Sequence, residues 1–236
     1  MILVNCDIGE RGAAHPEDAA IMPYLHIANI ACGGHAGDRA SIEWFTKQAD
    51  ELGVQISAHL SYPDSENFGR LSMQITDAEL LATLDEQHNR MPNVKTIKLH
   101  GALYNDAAVN PERAELLVGW AKNRGFDCII APDPSEMAKA AKAAHLRVLA
   151  EVFAERNYQL QNGQLILVPR KLPHASIHNL DAALAHSKQI IEHKTVSAYL
   201  NEEGDQQREC PVQAETICIH SDSAIALPLA KALSTL

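Results

Sequence analysis

Apolar residues along this chain fall into two kinds of segment that alternate. Short runs rich in Val, Ile and Leu, at 2–8, 26–32, 55–60, 96–100, 127–131, 147–153 and 216–220, read as buried strands. Between them, 40–52, 76–89, 111–124, 134–144, 180–193 and 223–236 repeat their apolar residues at spacings of three and four, which predicts amphipathic helices. Seven strand–helix repeats of this kind build a parallel sheet with helices on its faces. Helix starts are marked by Asp38, by Thr76 with Glu79 three residues on, and by Asn110 before Pro111. One stretch breaks the alternation: 158–170 carries Asn162-Gly163 between two alternating runs, which predicts a hairpin inserted after the sixth strand. The polar stretch 201–207, with Gly204, reads as a solvated loop.

Length and composition sharpen this picture. The chain has 236 residues, 46% hydrophobic and 21% charged, enough apolar material for a sizeable core. A single α/β barrel routinely occupies this length, so one domain spanning 1–236 is expected. Thirty acidic residues against 20 basic ones, with no dense Lys/Arg cluster, disfavour nucleic acid as a partner. A carboxylate at Asp7 interrupts the first apolar run and no later window is long enough for a span, so neither an export signal nor a membrane segment is expected. Five cysteines, an odd number with no C-x-x-C pair, fit neither a disulfide framework nor a zinc ribbon and point to a reduced, cytoplasmic setting.

Candidate chemistry lies at the strand ends. Asp7 and Glu10, His35 with Asp38, His59, His100, Glu151 with Arg156, and His220 with Asp222 all stand at or just past the C-terminal end of a predicted strand. In a parallel barrel or open α/β sheet those ends converge on one face, where active sites are built. Any one such histidine can equally be a satisfied structural group. The same placement at nearly every strand argues for a site. His35, His59, His100 and His220 with Asp7 have the chemistry to hold a divalent metal, but their spacing matches no recognised metal motif and a tightly bound metal is not expected. His174 and His178 have metalloprotease spacing, with Ala175 where the catalytic Glu would stand. Cys32 beside His35 is either a nucleophile or a small buried hydrophobe. The glycine-rich 33–38 loop either cradles an anion or makes a tight turn. Lys98, two residues before His100, shares its side of the strand and must pair with a carboxylate or face an anionic substrate. Neither a P-loop nor a dinucleotide fingerprint occurs.

Taken in order, residues 5–10 (NCDIGE), 29–38 (NIACGGHAGD), 58–59 (AH) with 62–64 (YPD) and 68–70 (FGR), 100–105 (HGALYN), 151–156 (EVFAER) with Tyr158, 167–170 (LVPR) and 217–220 (ICIH) resemble the successive signature blocks of the LamB/YcsF family, the A subunits of prokaryotic 5-oxoprolinase. The resemblance runs from residue 2 into the C-terminal helix. It implies a seven-stranded, TIM-like β/α barrel of the glycoside hydrolase/deacetylase type. It also implies ATP-dependent opening of the 5-oxo-L-proline ring to L-glutamate, with magnesium accompanying ATP and subunits B and C as partners; a homo-oligomer is left open. Carried onto the matching blocks, it makes Asp7 or Glu10 the general base and has His35, His59, His100 and His220 position water and stabilise charge. The substrate-binding set is Asp38, Lys98, Tyr104, Asn105, Glu151, Arg156 and Asp222, with Lys98 and Arg156 facing the substrate carboxylate or phosphate. Four departures from the family pattern stand out: a short 11–15 stretch, Leu99 for Pro, Glu155 for Asp, and Ser221 for Gly. The rival reading from the same fold likeness is a metal-dependent carbohydrate deacetylase, and a non-catalytic carboxylate-binding scaffold is a third.

Overall fold

The computed structural model describes residues 2–236. Seven parallel strands close into a barrel: β1 (Leu3–Ile8), β2 (Ile27–Ala31), β3 (Gln55–Leu60), β4 (Thr96–Leu99), β5 (Cys128–Ala131), β6 (Arg147–Phe153) and a last one that returns beside β1. Between β6 and that last strand the chain leaves the barrel. It forms β7 (Tyr158–Gln161), β8 (Gln164–Leu167), β9 (Thr195–Tyr199) and β10 (Gln207–Pro211), a separate sheet in the order β10-β9-β7-β8, before β11 (Thr216–His220) closes the ring. The Asn162-Gly163 turn makes the β7–β8 hairpin, both residues taking positive φ.

Strand pleat sorts side chains into two cores. Outward residues such as Val4, Ile30, Leu60, Ile97, Ile129, Val152 and Ile219 join one large cluster with Ile42, Phe45, Leu80, Leu84 and Leu117 of the surrounding helices. Inward, Ile27, Cys128, Ile130 and Leu149 form a separate apolar plug with Leu3 against it. The inward register then turns polar toward the C-terminal ends: Asn5 pairs across from Cys218, Asp7 from His220 and from Asn29, and His59 from Lys98. A barrel interior is a packed core rather than a pore, so each of these polar groups has to find a partner inside it.

Outside the barrel, α1 (Pro16–Ile21), α2 (Arg39–Leu52), α3 (Asp77–His88), α4 (Gly101–Val109), α5 (Pro111–Asn123), α6 (Glu136–Ala143), α7 (Leu180–Lys188) and α8 (Ala226–Leu233) follow the strands. The capping residues explain their starts. Asp38 and Ser41 form a reciprocal capping box on α2, Thr76 and Glu79 do so on α3, and Asn110 caps α5 with Pro111 in its first turn. Three differences from the pattern-based expectation are informative. The predicted helix 180–193 is α-helical only to Lys188 and then widens into a π-helical turn, Gln189–His193. The predicted strand 96–100 stops at Leu99, because His100 is the N-cap of α4. The polar 201–207 stretch is the connection between β9 and β10, two strands the apolar pattern did not predict. Among the described residues no helix is long and apolar enough to cross a membrane.

Candidate active site

The strand ends surround a cavity with Asp7, Glu10, His59 and His100 at its floor and Arg70, Arg170 and Asp222 at its rim. Below the floor lies a buried charge network. The Lys98 ammonium is 2.9 Å from Asp7 Oδ1 and 2.9 Å from Glu151 Oε1, and donates to Cys218 Sγ at 3.1 Å. Asn29 Nδ2 donates to Asp7 Oδ1 at 3.0 Å, and the Tyr104 hydroxyl donates to Glu151 Oε2 at 2.7 Å. Burial works to raise the Asp7 pKa, but His59 and Lys98 outweigh it and hold the carboxyl well below its usual range. Burial likewise opposes the charge on Lys98, yet Asp7, Cys218 and Glu151 together raise its pKa well above the ordinary value. Lys98 is only 2% exposed and its charge is met by two carboxylates. Of the two outcomes the sequence left open, the carboxylate pairing is present: Lys98 orients Asp7 and Glu151 while also lining the cavity. Glu151, buried and bonded to Lys98 and Tyr104, is part of the same support rather than of the cavity wall.

Above it sit three histidines and a carboxylate. His35 Nε2 donates to Glu10 Oε1 at 2.8 Å, and the His35 ring stacks on His100 with centroids 3.6 Å apart and planes 4° from parallel. His59 Nε2 lies 2.9 Å from His100 Nδ1 and 3.3 Å from Asp7 Oδ2. Burial lowers the pKa of both His35 and His100. For His35 the hydrogen bond to Glu10 opposes it, while for His100 the neighbouring His59 and His35 add to it. Two glycines let the chain close over this group. A side chain at Gly69 (φ +61°) would sit 2.9 Å from His35 Cβ, and one at Gly101 (φ +55°) would sit 2.4 Å from the Gly69 carbonyl oxygen. That close approach sets the Phe68 carbonyl 3.0 Å from His100 Nε2.

The wall is completed by His220, whose Nδ1 donates to Glu155 at 2.5 Å, leaving Nε2 to accept from Arg170 at 3.3 Å. Glu155 was not among the residues expected at the site; it holds His220 through both Nδ1 and the backbone N–H. Arg156 lines the cavity but donates through Nε and Nη2 to the carbonyls of Ala175 and Val168, so part of its guanidinium anchors the 168–176 segment. Burial, then Arg170, lowers its pKa to about 10, and burial, then Arg70, lowers that of Arg170. Three guanidiniums thus gather on one side, Arg156 buried in the wall and Arg70 and Arg170 at the rim, with Asp222 3.7 Å from Arg70. Such a cluster is suited to an anion. Arg70 and Arg170 were missed because they stand in loops rather than at strand ends. Tyr104 and Asn105 line the cavity from α4, Asn105 exposed and Tyr104 tied to Glu151.

Several sequence candidates belong elsewhere. The Asp38 carboxylate accepts from Ser41 N at 2.7 Å as the α2 cap and does not line the cavity, which corrects its placement among the substrate-binding residues. An Asp38→Ala change is therefore expected to cost about 1 kcal/mol of stability, roughly a 2–4 °C fall in Tm, with turnover per folded molecule unchanged. A loss of turnover exceeding the loss of folded protein would return Asp38 to the site. Cys32 is buried against Ile30 O and Met91 Sδ, and burial raises its thiol to about 12, so it is no nucleophile near neutral pH. His174 and His178 lie in the irregular chain before α7, not on one helix face. The 33–38 loop closes on itself through Gly33 N–H and Ala36 O at 2.7 Å, as a tight turn does.

The histidines also set a pH dependence of stability. His35, His100 and His186 all have lowered pKa values, with burial the leading cause. Below the free-histidine pKa of about 6.5, the unfolded chain binds protons that the folded chain refuses. Stability is therefore full above that pH and lost as pH falls through it. Thermal unfolding followed from pH 8 to pH 5 should show Tm declining once pH drops below about 6.5; an unchanged Tm down to pH 5.5 would contradict it.

A model of the LamB/YcsF family matches residues 2–236. The crystal structure of a lactam utilization protein from Thermus thermophilus is similar over 99% of this chain and 94% of that one, with 28% identity and a TM-score of 0.80.

Proposed function

The chain belongs to the LamB/YcsF family, and from that premise we propose that it is the A subunit of an ATP-dependent 5-oxoprolinase, opening 5-oxo-L-proline to L-glutamate together with subunits B and C. The observation that carries this reading is the polarity of the cavity, with carboxylates and imidazoles on its floor, Arg156 in its wall and Arg70 and Arg170 at its mouth. The name of the Thermus thermophilus relative points to lactam chemistry as well. A cyclic amide anion such as 5-oxoproline fits that polarity in one orientation: its carboxylate toward Arg70 and Arg170, its lactam N–H toward Asp7 and Glu10.

A lactam is a weak electrophile. Transfer of the ATP γ-phosphoryl group to the amide oxygen, releasing ADP, turns that oxygen into a leaving group. Water then adds to the activated carbon, its proton passing to a floor carboxylate or imidazole. Collapse breaks the C–N bond, the amine nitrogen taking up a proton and the carbon being left as an acyl phosphate, which a second water hydrolyses to the carboxylate and inorganic phosphate. The arginines neutralise charge on the substrate carboxylate or on the phosphoryl oxygens, and the network around Lys98 holds Asp7 ionised and fixed in direction.

The test is glutamate release from 5-oxo-L-proline with ATP and magnesium, comparing this chain with B and C, this chain alone, and B and C alone. Glutamate from the complete mixture only is the expected result. No glutamate from a mixture whose components demonstrably assemble would overturn the proposal.

A further inference from the structure

Proton bookkeeping at the cavity floor leaves a gap. His59 Nδ1 lies 3.3 Å from the Lys98 carbonyl oxygen and His100 Nε2 lies 3.0 Å from the Phe68 carbonyl oxygen. Carbonyl oxygens only accept, so those two ring nitrogens carry the protons. The two remaining ring nitrogens, His59 Nε2 and His100 Nδ1, face one another at 2.9 Å, so a positive charge is needed between them and the carboxylates, either a proton or a bound cation. Glu10 Oε1 lies 3.3 Å from His100 Nδ1 and 3.7 Å from His59 Nε2, and Asp7 Oδ2 lies 3.3 Å from His59 Nε2. Glu10 Oε1, His59 Nε2 and His100 Nδ1 are gathered at one point, with Asp7 Oδ2 beside His59 at its edge. The nearest ammonium, Lys98, sits on the other oxygen of Asp7 and is shared with Glu151.

Their spacing is that of a coordination shell. Ligand atoms about 2.0–2.2 Å from a tetrahedral zinc ion stand roughly 3.3–3.6 Å from each other, against 2.9–3.7 Å for the contacts here. The surroundings match too. Metal-bound histidines commonly donate their other N–H to a carbonyl, and ligating carboxylates are themselves hydrogen-bonded. His59 and His100 each donate to a main-chain carbonyl, and Glu10 accepts from His35, which also stacks on His100. His35 Nδ1 is buried without a partner, so His35 fits the role of orienting Glu10 better than that of a ligand. Glu10, His59 and His100 line the cavity, leaving one side of the point open to water or substrate.

We propose that Glu10 Oε1, His59 Nε2 and His100 Nδ1 form a binding site for one divalent transition-metal ion of the zinc or manganese type, to which mixed imidazole and carboxylate donors are suited. The site stands whether or not the chain is a 5-oxoprolinase subunit. If both hold, Glu10 serves as a ligand and Asp7, 3.3 Å from His59 Nε2, is the carboxylate left to accept a proton.

The test uses full-length protein stripped with a chelator and titrated calorimetrically with Zn2+. One ion per chain, binding at micromolar concentration or tighter, is expected, and Glu10→Gln and His100→Asn should each weaken it at least tenfold. His174→Asn, outside the cluster, should bind as the wild type does. Absence of saturable binding, or binding equally tight in all variants, would overturn the proposal; so would one extra proton on the His59–His100 pair with no response to Zn2+. Should a variant fail to fold, zinc-edge anomalous scattering from wild-type crystals decides: a peak within bonding distance, about 2.0–2.2 Å, of the two histidine nitrogens supports the site, and a peak elsewhere or none refutes it.

Discussion

Lys98→Met should destabilise the barrel by about 3–5 kcal/mol, as removal of one partner from a buried ion pair does. The exchange keeps the side chain's length and removes its charge. What remains is Asp7 and Glu151 in the barrel interior, each having lost an ammonium at 2.9 Å. For a chain of this length that corresponds to a fall in Tm of roughly 10 °C. The sign of the pH dependence is also fixed. In the wild type the Asp7 pKa is held well below its usual range, so its contribution is present above the unfolded pKa of about 3.9 and is lost as pH falls. Without Lys98 less opposes the effect of burial, the Asp7 pKa moves up, and the penalty is largest at neutral pH. The gap in Tm between wild type and Lys98→Met should therefore narrow between pH 7.5 and pH 5. A second change, Glu151→Gln, should return part of the stability to Lys98→Met, since it removes one of the stranded charges. Equal Tm values for wild type and Lys98→Met at pH 7.5 would show that the network contributes little.

The alternation of strands and helices was legible because every barrel strand is buried on both faces and reads as a continuous apolar run, while the helices carry a single apolar stripe. The second sheet was half legible. Asn162-Gly163 announces its hairpin, but β9 (TVSAY) and β10 (QRECP) are weakly apolar and pair with that hairpin and each other, outside the barrel. Helix α4 escaped for a different reason: GALYNDAAV begins at a glycine, has no side-chain cap and is apolar on several sides, so it lacks both a start signal and a stripe. At the site, strand-end position identified Asp7, His59, His100 and His220, because pleat and parallel pairing alone bring those positions to one face. It could not assign partners. Lys98 points inward as the period of two requires, yet its charge is met by Asp7 and Glu151, residues 91 and 53 positions away along the chain. Arg70 and Arg170 reach the cavity from loops, whose direction no periodicity encodes.

Those two arginines carry the other large expected effect. Arg170→Ala and Arg70→Ala should each lower kcat/KM for 5-oxo-L-proline by about 10- to 100-fold in the assembled enzyme, because a hydrogen bond to a charged group contributes about 1.5–3 kcal/mol. Neither change should unfold the protein. Arg70 has a partly exposed side chain and its one carboxylate neighbour, Asp222, is exposed and 3.7 Å away. Arg170 is closer to the wall, but its polar contact there is to His220 Nε2, which the cavity can hydrate once the guanidinium is gone. The two kinetic constants separate the anions the arginines could meet. If they hold the substrate carboxylate, KM for 5-oxo-L-proline rises, and a lactam lacking that carboxylate is turned over equally poorly by wild type and variants. If they hold the phosphoryl group in flight, kcat falls and the carboxylate-free lactam shows the same loss. The double variant should lose less than the product of the single losses, since one anion that meets both arginines couples them. Wild-type kcat/KM in both single variants would remove the arginine rim from the mechanism and leave the floor of the cavity to bind the substrate by itself.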